Sequence, residues 1–142
     1  MMRFVPILMF LIISCASGFG QGQDSVKYVS AGPAEFQKAL KGDPRALLVD
    51  VREFFEYRKQ RIDHAVNIPS SGNIAWAADS IPKETPLFLY CTTGFRSKRT
   101  AARFCEMGFS EVYSLDGGIK AWKKTGLPVS REKIKRKKAG LR

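Results

Sequence analysis

Histidine is almost missing from this sequence, with His64 as the single copy, and cysteine occurs only at Cys15, Cys91 and Cys105. None of these is grouped with Asp or Glu at ligand spacing, so a metal centre is not expected. There is no phosphate-binding glycine loop and no dinucleotide glycine pattern, which leaves no place for a nucleotide cofactor. Acidic residues are scarce, 13 Asp or Glu against 24 Lys or Arg, and the chain carries a net charge of +11. The uncharged apolar run Phe4 to Ile13 is shorter than the about 20 residues a membrane-crossing helix needs. At 142 residues and 44% hydrophobic, the chain has room for one domain with a real core and not for two.

What is present begins with a targeting signature. Met1, Met2 and Arg3 precede the apolar run, and small residues follow from Ser14 to Gly20; a charged start, a short apolar centre and a small-residue exit read as a secretory signal. Two ways of cutting it stay open. Ile12-Ile13-Ser14-Cys15 looks like a bacterial lipobox, which would make Cys15 an acylated N-terminus. Gly18-Phe19-Gly20 could instead allow ordinary cleavage before Gln21. Either route leads to a bacterial cell envelope, periplasmic or lipid-anchored. Gln21 to Ser25 reads as a polar tether.

The chemistry concentrates in Leu87 to Thr100, LFLYCTTGFRSKRT. A strand-like apolar run stops at Cys91, a polar loop with a glycine follows, and a helix-compatible segment starts near Ser97. If the amides of that loop curl round the sulfur and the helix points its positive end at it, dipoles alone stabilise an anion there. Cys91 would then be a thiolate at neutral pH, with Arg96 and Arg99 acting in the same sense.

The rest of the folded part alternates between strand and helix patterns. Strands are expected at Lys27–Ser30, Ala46–Asp50, Ala65–Ile68, Leu87–Cys91 and Val112–Leu115. Helices are expected at Pro33–Lys41, Glu53–Gln60, Asn73–Asp79, Ser97–Met107 and Ile119–Lys124. This alternation predicts an α/β fold, a central parallel sheet of about five strands flanked by helices, with ligands bound beyond the carboxyl ends of the strands.

Three blocks in this order resemble the rhodanese-like sulfurtransferases: LLVDVREFFEYRKQRIDHAVNIP from Leu47, the C-x-x-x-x-R loop Cys91 to Arg96, and LDGGIKAWKKTGLPV from Leu115. The resemblance covers residues 26–129. It implies a three-layer rhodanese-like fold and a Cys91 that takes a sulfane sulfur from thiosulfate or a persulfide, then hands it to a small thiol, a thiol protein or cyanide. In that picture the amides of Thr92, Thr93, Gly94, Phe95 and Arg96 bind the outer sulfur, the Thr92 and Thr93 hydroxyls donate to it, and Arg96 braces the loop. Asp50 and Arg52, which end the Leu47 strand, support the loop, Asp50 as acceptor for loop groups and Arg52 as a second cation. The family's usual Gly-His-Ile is replaced here by Gln60-Arg61-Ile62. Thr92 stands where many members carry a cation, so thiosulfate should be used weakly and Thr92→Arg should improve its use.

Other readings weighed against this are a non-catalytic persulfide carrier or partner-binding module, and a cysteine phosphatase or arsenate reductase, whose loop is one residue longer in phosphatases of similar fold. Cys105 reads as helix packing, and its distance along the helix from Cys91 argues against a disulfide. Trp122 reads as core. Trp76 either caps the pocket mouth or packs, and His64 is not expected to act as a base. Residues 130–142 form a basic tail with seven Lys or Arg and one Glu; behind a secretory signal it suits an anionic membrane surface better than nucleic acid.

Overall fold

Leu87–Tyr90 forms the central strand, and all four of its residues are buried. The computed structural model describes residues 27–134. The segment read as a secretory signal, with Cys15, the stretch read as a tether and most of the basic tail lie outside the described residues.

Five strands, β1 (Val29–Ala31), β2 (Leu47–Asp50), β3 (Val66–Asn67), β4 (Leu87–Tyr90) and β5 (Val112–Leu115), make one sheet in the order β1-β5-β4-β2-β3, with every pairing parallel. Strand period two sorts β4 between the two faces. Leu87 and Leu89 join Val49, Ile74, Ala101 and Phe104 in one core, beneath α3 (Ile74–Asp79) and α4 (Phe95–Glu106). Phe88 and Tyr90 face the other core, where Phe36 of α1 (Pro33–Gly42) and Ile119 and Trp122 of α5 (Gly118–Lys124) pack. Phe88 stacks on Tyr113 at 4.3 Å and meets Phe36 edge-on at 5.2 Å. A strand that must be apolar on both sides is what the uninterrupted LFLY run encodes. α2 (Phe54–Lys59) buries no residue fully and packs chiefly through Tyr57.

The chain leaves β4 toward β5 on one side, whereas β2 leads to β3 on the other. The crevice between the carboxyl ends of β2 and β4 is therefore the switch point of this sheet, where open α/β sheets bind ligands. Asp50 and Cys91 stand at its two walls.

Element ends moved by one or two residues from the sequence expectation. α4 starts at Phe95 rather than Ser97, because Gly94 takes φ 97 and turns the chain straight into the helix. The strand expected at Ala65–Ile68 shrinks to Val66–Asn67 at the sheet edge. Trp122 is core, with its Nε1 donating to the Pro128 carbonyl at 2.9 Å. Cys105 is buried beside Ala101 and Phe104, and both Cys91 and Cys105 are free thiols.

Candidate active site

Cys91 follows β4 directly, and only 1% of its surface reaches solvent. The loop folds back so that the Gly94 amide donates to the Cys91 sulfur at 3.1 Å. The 12-residue helix α4 then sets its N-terminal turn against the same atom, bringing the buried Ser97 to it. Burial pushes the Cys91 thiol up, but the Ser97 amide and hydroxyl and the Thr93 and Gly94 amides outweigh it, and the thiol is held below its ordinary value. Ser97 was not singled out in the sequence. Its Oγ donates to the Gly94 carbonyl at 3.1 Å and accepts from Ser114 Oγ at 2.9 Å, so its one proton lies between that carbonyl and the sulfur. A thiolate is the stronger acceptor of the two.

The loop is pinned from behind by the start of α5. Ile119 N donates to the Cys91 carbonyl at 2.8 Å and Lys120 N to the Thr92 carbonyl at 3.2 Å. Such closeness requires Gly118: a Cβ there would lie 2.5 Å from the Cys91 oxygen, and its φ is 60. The Gly117-Gly118 pair is thus part of the site, and two consecutive glycines before a helix were the signal for it.

From the front the loop is tied to α2. Arg96 meets Glu56 with both nitrogens, Nη1 to Oε2 at 2.8 Å and Nη2 to Oε1 at 3.0 Å. Thr92 Oγ1 donates to Glu56 Oε1 at 3.0 Å and accepts from Arg96 Nη2 at 3.0 Å. The Thr92 hydroxyl is therefore spent on a carboxylate and is not aimed at an outer sulfur, contrary to the sequence reading; a charged acceptor within reach outcompetes a neutral one. The Arg96 guanidinium holds the Glu56 carboxyl down at about 2, against partial burial, with help from the Glu53 amide and the Thr92 hydroxyl. Glu56 was missed in the sequence.

Asp50 and Arg52 also depart from expectation. Among the described residues neither hydrogen-bonds a loop side chain. Arg52 folds back on Asp50, Nε to Oδ1 at 2.9 Å and Nη2 to Oδ2 at 2.6 Å, and also caps the Gln60 carbonyl at 2.6 Å. Asp50 is fully enclosed, and a carboxylate without water needs its cation at once, so the nearest guanidinium takes it. The pair fixes the turn from β2 into α2, and so supports the loop only by holding Glu56 in place.

Of the remaining candidates, Thr93 is exposed. Phe95 is 68% exposed with the Arg99 guanidinium 5.7 Å over its ring. Trp76 stands out from α3, 72% exposed, as a surface aromatic. His64 precedes β3, at the end of the sheet away from Cys91, with φ 62 and its side chain in solvent. Among the described residues no group of three His, Cys, Asp or Glu side chains is placed to hold a metal ion. Chemically, the site is one ionisable sulfur surrounded by neutral donors, with Arg96 paired to Glu56 at its margin and Arg99 lying over the Phe95 ring.

The family model described as "Rhodanese-like domain" matches residues 32–125. The thiosulfate sulfurtransferase GlpE of Shewanella oneidensis is 37% identical over 75 residues, 53% of this chain and 73% of that protein. A tRNA uridine(34) hydroxylase of Sodalis glossinidius is 33% identical over 105 residues, 68% of this chain, but the chain spans only 30% of that protein's length. Among solved structures, a rhodanese-related protein from Thermoplasma volcanium superposes with a TM-score of 0.65 at 28% identity, covering 74% of this chain and all of that one.

Proposed function

The chain belongs to the rhodanese-like domain family, and from that premise we propose that it is a sulfurtransferase working through a persulfide on Cys91. The observation that carries the reading is the sulfur itself: nearly enclosed, at the start of α4, met by the Gly94 amide at 3.1 Å and held more acidic than an ordinary thiol. Loading begins when the Cys91 thiolate attacks the outer sulfur of a donor such as thiosulfate. The new S–S bond forms as the donor's S–S bond breaks, sulfite leaves with the electron pair, and the persulfide anion remains against the loop amides. An acceptor thiolate or cyanide then attacks the outer sulfur, and Cys91 departs as the thiolate it was. A group that must be both nucleophile and leaving group benefits from a lowered pKa in each role. Glu56, Arg96 and Thr92 act as positioning residues for the loop. The segment Met1–Gly20 supports export to the envelope, and the basic tail supports an anionic membrane surface as partner.

Brief exposure to thiosulfate should add one sulfur to the intact mass, reversible by reductant, in the wild type and in Cys105→Ser but not in Cys91→Ser. Sulfur retained by Cys91→Ser would overturn the assignment. Loading without turnover to cyanide or a thiol would make the protein a carrier and not an enzyme.

A further inference from the structure

Beside the loop, on the side of α2 and α5, lies an open cavity of about 320 Å³, within the range of small-ligand sites. Its walls carry Arg52, Lys59, Lys120 and Lys123, with Phe55 as an apolar side and Thr92 as the link to Cys91. The one carboxylate on the rim, Glu56, is already joined to Arg96. Arg52 is likewise neutralised by Asp50, which leaves three ammonium groups with no carboxylate within ion-pair distance among the described residues.

Gln60 gives a second, independent sign. Its Oε1 accepts from Lys123 at 3.1 Å, which fixes the orientation of the amide, and its Nε2 is enclosed without any acceptor among the described residues. A buried donor left unpaired is unfavourable, and it is rare unless something outside the chain completes it.

We propose that this cavity is the subsite for the carboxylates of the sulfur acceptor, a low-molecular-weight thiol carrying more than one carboxylate. The inference rests on the sulfurtransferase reading for what the ligand does, but not for where it binds. Separate ammonium groups spread round a cavity suit two spaced carboxylates better than one compact oxyanion, and Phe55, 71% exposed, offers cover for the carbon chain between them. Thr92, the residue after Cys91, belongs to the cavity wall, and the Lys120 amide donates to its carbonyl at 3.2 Å. In the transfer step the bound thiolate attacks the outer sulfur of the Cys91 persulfide. The acceptor's new S–S bond forms, the Cys91 S–S bond breaks, and the electron pair returns to Cys91.

The test uses mercaptosuccinate against 2-mercaptoethanol as acceptors for thiosulfate-loaded protein, and succinate as an unreactive probe by NMR titration of Cys91→Ser. The dicarboxylate thiol should be preferred, and Lys59→Gln with Lys120→Gln should cut the ratio of the two specificity constants about thirtyfold, since two ammonium contacts of about 4 Å are removed. Rising salt should cut it in the same direction. Succinate should shift resonances of Lys120 and Lys123 neighbours in Cys91→Ser, and not in a protein that also carries the two glutamines. Persulfide formation with no acceptor preference and no succinate binding would overturn the subsite and leave the sulfurtransferase reading standing. Succinate binding without persulfide would uphold the anion subsite and overturn its role in sulfur transfer.

Discussion

Replacing Glu56 with glutamine tests whether the charge of this carboxylate ties the loop to α2. Glutamine keeps an acceptor oxygen for Thr92 but loses the two-pronged pair with Arg96 at 2.8 and 3.0 Å. In the folded protein the Arg96 guanidinium lowers the Glu56 carboxyl from 4.5 to about 2. At about 1.4 kcal/mol per pH unit, that difference bounds the contribution at roughly 3.4 kcal/mol. The two side chains are 33% and 22% exposed, so solvent screens the pair and about 1–2 kcal/mol should remain. Because the folded value lies below the unfolded one, the stabilisation is complete above pH 4.5 and drains away as pH falls toward 2. Urea unfolding of wild type and Glu56→Gln should therefore differ by about 1–2 kcal/mol at pH 7, and the gap should narrow steadily below pH 4.5. Taking the difference cancels every other titrating group that the two proteins share. A gap that stayed constant with pH, or was absent at pH 7, would refute the electrostatic account of this bridge.

Two further substitutions probe the loop from its other sides. Gly118→Ala sets a Cβ 2.5 Å from the Cys91 carbonyl at a φ of 60, so thermal unfolding should show a loss of about 3 kcal/mol or more and sulfur loading should fall with it; an unchanged melting temperature would mean that the α5 start yields freely. In Thr92→Arg the new guanidinium finds Glu56 within reach, so the roughly tenfold gain in thiosulfate use that a free cation would bring should shrink to about threefold. A tenfold gain in kcat/KM at low salt would show that the arginine points at the donor instead.

What the sequence made legible follows from how local each signal is. The LFLY run had to be a strand buried on both faces, and a cysteine at its end before a glycine loop had to lie at the sheet's carboxyl edge. Glu56 was not legible, because its partner Arg96 is 40 residues away and the pairing exists only once α2 lies over the loop. Asp50 and Arg52 misled for the opposite reason. They were read as reaching outward to the loop, whereas two residues apart they satisfy each other first, and a fully buried carboxylate cannot wait for a distant partner. Ser97 was hidden by the helix start: with α4 beginning at Phe95, Ser97 falls in the first turn and faces the sulfur, whereas a helix starting at Ser97 would have left it as a cap.

The pairing of the cations has a consequence for a sulfur that must change hands. Arg96 is neutralised by Glu56 and Arg52 by Asp50, so the thiolate is held by neutral amides and a hydroxyl rather than by a full charge. A bare guanidinium against the sulfur would depress its pKa further, but nucleophilicity falls with pKa, and the most effective attacking thiol is one that ionises near the working pH. The ammonium groups without a carboxylate partner among the described residues stand one step away, on the cavity wall beside Thr92, where they can attract an anionic partner without fixing the sulfur. Paired charge at the sulfur and free charge at the rim thus separate recognition from chemistry. That separation is why Glu56→Gln, which frees Arg96 beside the loop, should slow loading relative to sulfur release even where it leaves the fold intact, since a further lowered Cys91 pKa weakens the attacking thiolate and improves the departing one.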